Sequence, residues 1–233
     1  MSSRPRTDSG VSPEWLAWLA ALLPVLVIHG LYLYSAHAGH VPWCLPYLDG
    51  CTSISAATRQ GHAVYGFRAV MLPYAVVLAA YWWVAALWCR ALLPQARIRR
   101  GCVLGLGLVG AAFYLLYATF LGEQGPVYQL LRRYGINLYF AFTVLAQMLM
   151  ISLLARQPQI PAALRRLFLL LFALLILLGL ASLPLQYLVE DRRALLNAIE
   201  WSYALLMVCL YPLTGLAWRA TGLRLQIRLQ PAG

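Results

Sequence analysis

Residues 15–34 read WLAWLAALLPVLVIHGLYLY, and this run of 20 residues decides the class of fold. At ~1.5 Å of rise per residue, a helix of this length spans about 30 Å, the thickness of the hydrocarbon core of a bilayer. The rest of the chain has the same character, because 62% of its residues are hydrophobic and only 11% are charged. Soluble domains carry about 25% charged residues. The sequence therefore predicts an integral membrane protein.

The same run has a second interpretation as a secretory signal peptide. Arg4 and Arg6 would form its basic region, and residues 36–38 (Ala-His-Ala) would form its cleavage site. The apolar run is too long for a signal peptide, however, and Asp8 and Glu14 lie in its flank. We therefore expect a retained membrane span.

Five further apolar runs follow at even spacing, and each is bounded by arginine, proline or polar residues. The six predicted spans are 15–34, 67–89, 102–121, 135–155, 167–188 and 198–217. We predict an all-α, polytopic six-helix bundle that forms one domain over residues 1–233. Gly101 and Gly105 form a small-xxx-small pair at the start of the third span, and with Gly110 they favour close helix contact.

The distribution of arginine predicts the orientation. With a cytoplasmic N-terminus, twelve arginines lie on the inner side and six on the outer side, namely 59, 68, 132, 133, 192 and 193. This bias favours cytoplasmic termini and a basic tail, residues 224–230, on the inner leaflet. All basic residues are arginine, which points to a GC-rich bacterial genome. We expect a bacterial inner-membrane protein with the loop 36–66 in the periplasm.

Few polar groups lie deep in the predicted spans. Gln147 is a lone amide, and His29 is expected to be hydrogen bonded within the bundle. Proton-driven transporters need intramembrane carboxylates or histidine chains, and a bis-histidine haem needs ligands on facing spans, so neither class is favoured. The net charge of +11 lies in arginine clusters at span ends, which suit anionic headgroups rather than nucleic acid. We expect no cofactor, no metal and no nucleic-acid partner.

The loop between the first two spans carries three of the four histidines. Cys44 and Cys51 are the cysteines predicted to lie outside, where an oxidising compartment favours a disulfide between them. The alternative is a zinc site that these two thiolates form with His37, His40 and His62. That spacing fits no standard structural zinc site.

Three arginines at the outer ends of spans are candidate phosphate ligands: Arg68, Arg132 and Arg133. The planar guanidinium group suits phosphate because it donates two parallel hydrogen bonds. The alternative is that these side chains snorkel to the headgroup layer without binding a specific lipid.

The candidate catalytic residues are His62, Glu123 and Glu200. His62 is the best acid–base candidate because histidine changes charge near neutral pH, and either glutamate can orient a headgroup or act as a general base. Asn197 followed by Glu200 also fits a helix-capping pattern, which would be a purely structural role. Trp201 then fits the aromatic belt at the membrane surface.

Short motifs resemble a known family. The segment Leu45-Pro46-Tyr47…Thr52-Ser53-Ile54-Ser55-Ala56-Ala57, followed by Tyr65-Gly66-Phe67-Arg68 at the second span, is similar to the DRAM family. That family includes membrane proteins that remodel glycosylphosphatidylinositol anchors. Glu200-Trp201 is similar to the family's Glu-Trp pair, and Glu123 and Gly135-Ile136-Asn137 are looser matches. The resemblance implies six spans, cytoplasmic termini and lipid-related work at the non-cytoplasmic face.

The leading hypothesis is therefore recognition of a phospholipid or glycolipid headgroup and lipid remodelling at the non-cytoplasmic leaflet. The candidate headgroup-binding residues are Ser53, Ser55, Arg68, Arg132, Arg133, Asn137 and Trp201. The alternative is a non-enzymatic membrane scaffold or regulator with a structural outer loop. Convergence of the polar groups on one cavity would favour the first hypothesis, and scattered, solvent-facing side chains would favour the second.

Overall fold

The computed structural model describes residues 10–226, and in this range the chain forms eight helices. They are α1 Glu14–His37, α2 Pro46–Asp49, α3 Ile54–Thr58, α4 Ala63–Leu92, α5 Arg97–Phe120, α6 Pro126–Leu154, α7 Ala162–Leu188 and α8 Arg192–Ala220. The six long helices are each long and apolar enough to cross a membrane. The predicted all-α six-span bundle is confirmed, and the protein is an integral membrane protein.

The two ends of the described chain meet at one end of the bundle. Val11 and Leu225 form an antiparallel bridge through backbone hydrogen bonds of 3.0 and 2.9 Å. We call this end of the bundle the terminal end, and the opposite end, which carries α2 and α3, the loop end. The side of the membrane that each end faces stays a prediction. Arg4, Arg6, Asp8 and tail residues 227–230 lie outside the described range.

All six spans begin earlier in the chain than their hydropathy predicts, and the difference is largest for α6 and α8. Helix α6 starts at Pro126 rather than Gly135, because proline is well placed in a first turn, where its missing N–H needs no partner. Helix α8 starts at Arg192, and the Asp191 side chain caps it by accepting from the Ala194 N–H at 3.0 Å. The predicted capping role of Asn197 and Glu200 is therefore wrong, since both residues lie inside α8.

Glycines set how closely the helices approach. A Cβ on Gly107 would collide with the Trp82 ring of α4, and one on Gly110 would meet the Thr143 hydroxyl of α6 at 2.9 Å. Gly110 thus makes a close helix contact. The close helix contact predicted for Gly101 and Gly105 is wrong, because nothing lies within 4 Å of a Cβ at either position.

Helix α4 is held to its neighbours by hydrogen bonds from its tyrosines. Pro24 has no N–H, so the Ala20 carbonyl in α1 lacks its usual helical partner. The buried Tyr74 hydroxyl donates to that carbonyl at 2.6 Å. Closer to the terminal end, the Tyr81 hydroxyl donates to Thr214 of α8 at 2.9 Å. These bonds link α4 to both α1 and α8, whereas α7 buries few side chains and packs mainly against α8.

Candidate functional site

The loop between α1 and α4 is closed by a disulfide. Cys44 and Cys51 are bonded to each other, with their Cα atoms 6.5 Å apart. The predicted disulfide is confirmed, and neither sulfur is a thiolate that could bind zinc. Within residues 10–226, no three His, Cys, Asp or Glu side chains are grouped closely enough to hold a metal ion.

Helix α8 anchors this loop through two side chains that lie about one turn apart. Asn197 donates from Nδ2 to the Gly50 carbonyl at 2.8 Å, and Trp201 donates from Nε1 to the Thr52 carbonyl at 2.9 Å. Trp201 is only 1% exposed. The predicted place of Trp201 in the surface aromatic belt is therefore wrong, and its indole packs beneath the loop.

His29 belongs to the same aromatic cluster beneath the loop. Its Nδ1 lies 2.7 Å from the Val25 carbonyl, which can only accept, so Nδ1 carries a hydrogen. Its Nε2 lies 2.8 Å from the Tyr47 hydroxyl. Burial raises the pKa of Tyr47, and nearby Cys209 adds to the rise, so this hydroxyl stays neutral. His29 is hydrogen bonded within the bundle, as predicted.

A cavity of about 50 Å³ lies in the loop-end half of the bundle, between α1, α4, α5, α6 and α8. Apolar side chains form most of its wall. Its polar lining residues are Glu200 and four tyrosines, Tyr74, Tyr114, Tyr117 and Tyr139. The volume suits one or two water molecules, so a lipid group must displace side chains to enter.

Glu200 is the predicted catalytic residue that lines this cavity. Its carboxylate faces the backbone N–H groups of Ile54 and Ser55, the first two residues of α3. Ser53 caps the same helix by accepting from the Ala56 N–H at 3.1 Å. Carboxylates are favoured at helix N-termini, where unpaired N–H groups and the helix dipole carry positive charge. The N-terminus of α3 thus faces the Glu200 carboxyl group at the edge of an apolar cavity.

The Tyr114 hydroxyl is a free polar group in the cavity wall. It is buried and has no hydrogen-bond partner among the described residues. Its ring packs 4.8 Å from the ring of Tyr139 and 5.4 Å from that of Tyr74, which fixes its position. A buried hydroxyl without a partner costs about 1–3 kcal/mol. This hydroxyl is therefore available to a ligand that enters the cavity.

Two arginines approach the cavity from the loop end. Tyr117, which lines the cavity, lies within electrostatic range of Glu200, Arg59 and Arg132. Arg132 is partly buried and lies near Arg59, and neither forms an ion pair within the described part of the chain. Two guanidinium groups without ion-pair partners are suited to bind an anion such as a phosphate.

Other predicted ligands point elsewhere. Ile136, Tyr139 and Phe140 form the face of α6 that lines the cavity, whereas Arg133 and Asn137 lie on its exposed face. Arg133 and Asn137, two of the predicted headgroup ligands, therefore do not line this cavity, because the helical repeat turns them away from it.

Arg68 and Glu123 are bound to each other. The Arg68 Nη2 donates to Glu123 Oε1 at 2.6 Å and to the Leu121 carbonyl at 2.7 Å. The predicted phosphate ligand and the predicted base thus neutralise one another at the junction of α4 and α5. His62 is exposed, and the neighbour of its ring is Tyr65, with centroids 6.3 Å apart. The structure does not bring His62 to either glutamate.

Tyr114, Tyr117 and Tyr139 were not among the residues predicted from the sequence. The available signal was a set of phenolic hydroxyls inside otherwise apolar spans, two of them three residues apart in α5. No protein-family model, curated protein or solved structure matches this chain. The resemblance to the DRAM family stays a prediction, and the functional argument depends on the cavity itself.

Proposed function

We propose that this protein recognises the headgroup of a membrane lipid and remodels that lipid, as the resemblance to the DRAM family implies. In this proposal the loop end faces the periplasm of a bacterial inner membrane. The observation that carries the proposal is that Glu200 lines a cavity with Tyr117, and that Arg59 and Arg132 lie within electrostatic range of the same tyrosine. A carboxylate and two cations near one cavity suit a headgroup that carries both a phosphate and a hydroxyl or amine.

Each polar group has a role in this proposal. Arg59 and Arg132 bind the phosphate oxygens, and the Glu200 carboxylate accepts a hydrogen bond from the headgroup hydroxyl or amine. The free Tyr114 hydroxyl donates to an ester or sugar oxygen. The apolar lining from Ile136 and Phe140 receives the adjoining methylene groups of the acyl chain.

Transfer of an acyl group from a lipid ester to another hydroxyl requires only Glu200 as a base at this place. The carboxylate takes the proton from an attacking hydroxyl, whose oxygen adds to the carbonyl carbon of a lipid ester. The tetrahedral intermediate then expels the original alkoxide, which receives the proton back from Glu200. No net oxidation or reduction occurs, and the Tyr114 hydroxyl is positioned to stabilise a developing oxyanion.

The Glu200→Gln variant tests this proposal, with Glu190→Gln as the matched control because Glu190 is an exposed carboxyl near the loop end. Protein purified in mild detergent is analysed by native mass spectrometry for retained lipid. Protein in phospholipid nanodiscs is analysed by lipid mass spectrometry for changed headgroups or acyl chains. We expect retained lipid and product with the native protein and the control, and a loss of at least 10-fold in product with Glu200→Gln. Equal results for all three proteins would refute the proposal.

The second candidate function is a membrane scaffold or regulator. It is favoured by polar side chains whose contacts are structural: Asn197 holds the loop at the Gly50 carbonyl, and Arg68 joins α4 to the end of α5 through Glu123. The cavity is also small without rearrangement. In this case Glu200→Gln changes thermal stability but leaves lipid retention and lipid composition unchanged.

A further inference from the structure

A second concavity lies at the terminal end of the bundle, whereas the cavity with Glu200 lies in the loop-end half. It is a groove of about 290 Å³ between the end of α4 and the start of α5. Arg90, Arg97 and Arg100 line its polar part. Trp83, Ala86, Leu87, Gly101 and Leu104 line its apolar part.

The apolar part of this groove faces the hydrocarbon region around the bundle. Trp83 is 57% exposed and Leu87 is 39% exposed, although both lie in the membrane-spanning helix α4. Gly101 contributes no side chain, and a Cβ at this position would meet nothing within 4 Å. The groove is therefore open to lipid, and the missing side chain at residue 101 leaves room for an acyl chain.

The positive charge of the groove is not compensated by the described part of the protein. Arg90 and Arg97 are exposed and form no ion pair within residues 10–226. Arg100 donates to the Leu93 and Pro94 carbonyls at 3.2 and 2.9 Å, which holds its guanidinium group beside the groove. The first turn of α5 contains no acidic residue. An anion is the complementary occupant.

We propose that this groove binds one anionic glycerophospholipid from the leaflet at the terminal end. The Arg90 and Arg97 side chains contact the phosphate, and one acyl chain runs along Trp83, Leu87 and the open surface at Gly101. The charge alone would suit a free phosphate, but an exposed apolar floor beside the arginines suits a molecule that also carries hydrocarbon. This site is separate from the Glu200 cavity and does not depend on the function proposed for that cavity.

Two variants test the groove in different ways. Arg90→Gln combined with Arg97→Gln removes two of the three charges of the groove. It leaves Arg100 in place, because Arg100 bonds to the Leu93 and Pro94 carbonyls between α4 and α5. Gly101→Leu keeps every charge but fills the groove, and it should fold because no protein atom lies near the new Cβ. The matched control is Arg156→Gln with Arg166→Gln, which removes two exposed charges at the same end but outside the groove.

The measurement is native mass spectrometry of delipidated protein after addition of dioleoylphosphatidylglycerol or dioleoylphosphatidylcholine. We expect the native protein and the control to retain one phosphatidylglycerol, and both groove variants to retain at least 5-fold less. Phosphatidylcholine should be retained weakly by all four proteins. A loss in the control equal to that in the groove variants, or no loss with Gly101→Leu, would show non-specific attraction and overturn the proposal. Displacement of the lipid by millimolar inorganic phosphate would assign the site to a free anion and also overturn it.

Discussion

The Arg68 guanidinium group donates to the Glu123 carboxylate at 2.6 Å and, from the same nitrogen, to the Leu121 carbonyl at 2.7 Å. This contact joins the start of α4 to the end of α5, where the last carbonyls of a helix lack helical partners. Leu121 is fully buried, so its carbonyl depends on Arg68 rather than on water. Arg68 thus has a structural role that its position in the sequence does not reveal.

Arg68→Ala should lower the free energy of unfolding by about 1–3 kcal/mol, because a buried carbonyl loses its donor. Glu123→Gln removes only a partly exposed ionic partner and should cost less than about 1 kcal/mol. Thermal unfolding in detergent compares the two variants. Equal losses would show that the ion pair, rather than the Leu121 carbonyl, is the important contact.

Tyr74→Phe should destabilise the protein by about 1–3 kcal/mol, because the Ala20 carbonyl that Pro24 leaves free loses its donor. The control is the same change in a Pro24→Ala background. There the N–H of residue 24 can bond to the Ala20 carbonyl, so the cost of Tyr74→Phe should fall to near zero. A double-mutant cycle by thermal unfolding measures the difference, and additive effects would contradict this account.

Tyr114→Phe should stabilise the protein by about 1 kcal/mol, because it removes a buried hydroxyl that has no partner. The same change should reduce lipid retention and product formation if the hydroxyl serves a ligand. Tyr117→Phe is the comparison, since its hydroxyl lies beside Thr58 and its removal should cost stability instead. A loss of stability with Tyr114→Phe would indicate a hydrogen-bond partner for this hydroxyl and weaken its assignment to a ligand.

Replacing both Cys44 and Cys51 by serine should lower stability by roughly 2 kcal/mol, because the bond that closes a short loop is lost. Treatment of the native protein with a reductant should give the same shift in thermal unfolding. Cys102→Ser is the control, since Cys102 is an exposed free thiol. A similar shift in the control would show that loss of the disulfide does not cause the change in thermal unfolding.

Thiol labelling in intact cells tests the predicted orientation. If the terminal end is cytoplasmic, Cys102 should react with a membrane-impermeant maleimide only after the cells are broken. Leu48→Cys places a thiol on the loop, where the native side chain is 77% exposed, and it should react in intact cells. The opposite pattern would place the loop end in the cytoplasm.

The sequence by itself determined the class of the protein and the number of spans, and it favoured the disulfide that the structure shows. A run of about 20 apolar residues is sufficient to cross a bilayer whatever it packs against, so each span is a local property. Cys44 and Cys51 were predicted to pair because both were placed in an oxidising outer compartment, and the structure then excluded the zinc alternative. The first residues of α6 and α8 were predicted less well, because these helices begin in polar segments that hydropathy does not count, at Pro126 and after the capping residue Asp191.

The tertiary structure alone decided which polar groups meet. Arg68 pairs with Glu123 across 55 positions of chain, and Glu200 faces the N-terminus of α3 from a helix much later in the sequence. Sequence places Arg132 and Arg133 side by side, yet the helical repeat directs only Arg132 towards Arg59 and Tyr117. These contacts depend on the rotation of each helix about its own axis. That rotation is set by packing between helices, such as Gly107 against Trp82, and not by the hydropathy of any one span.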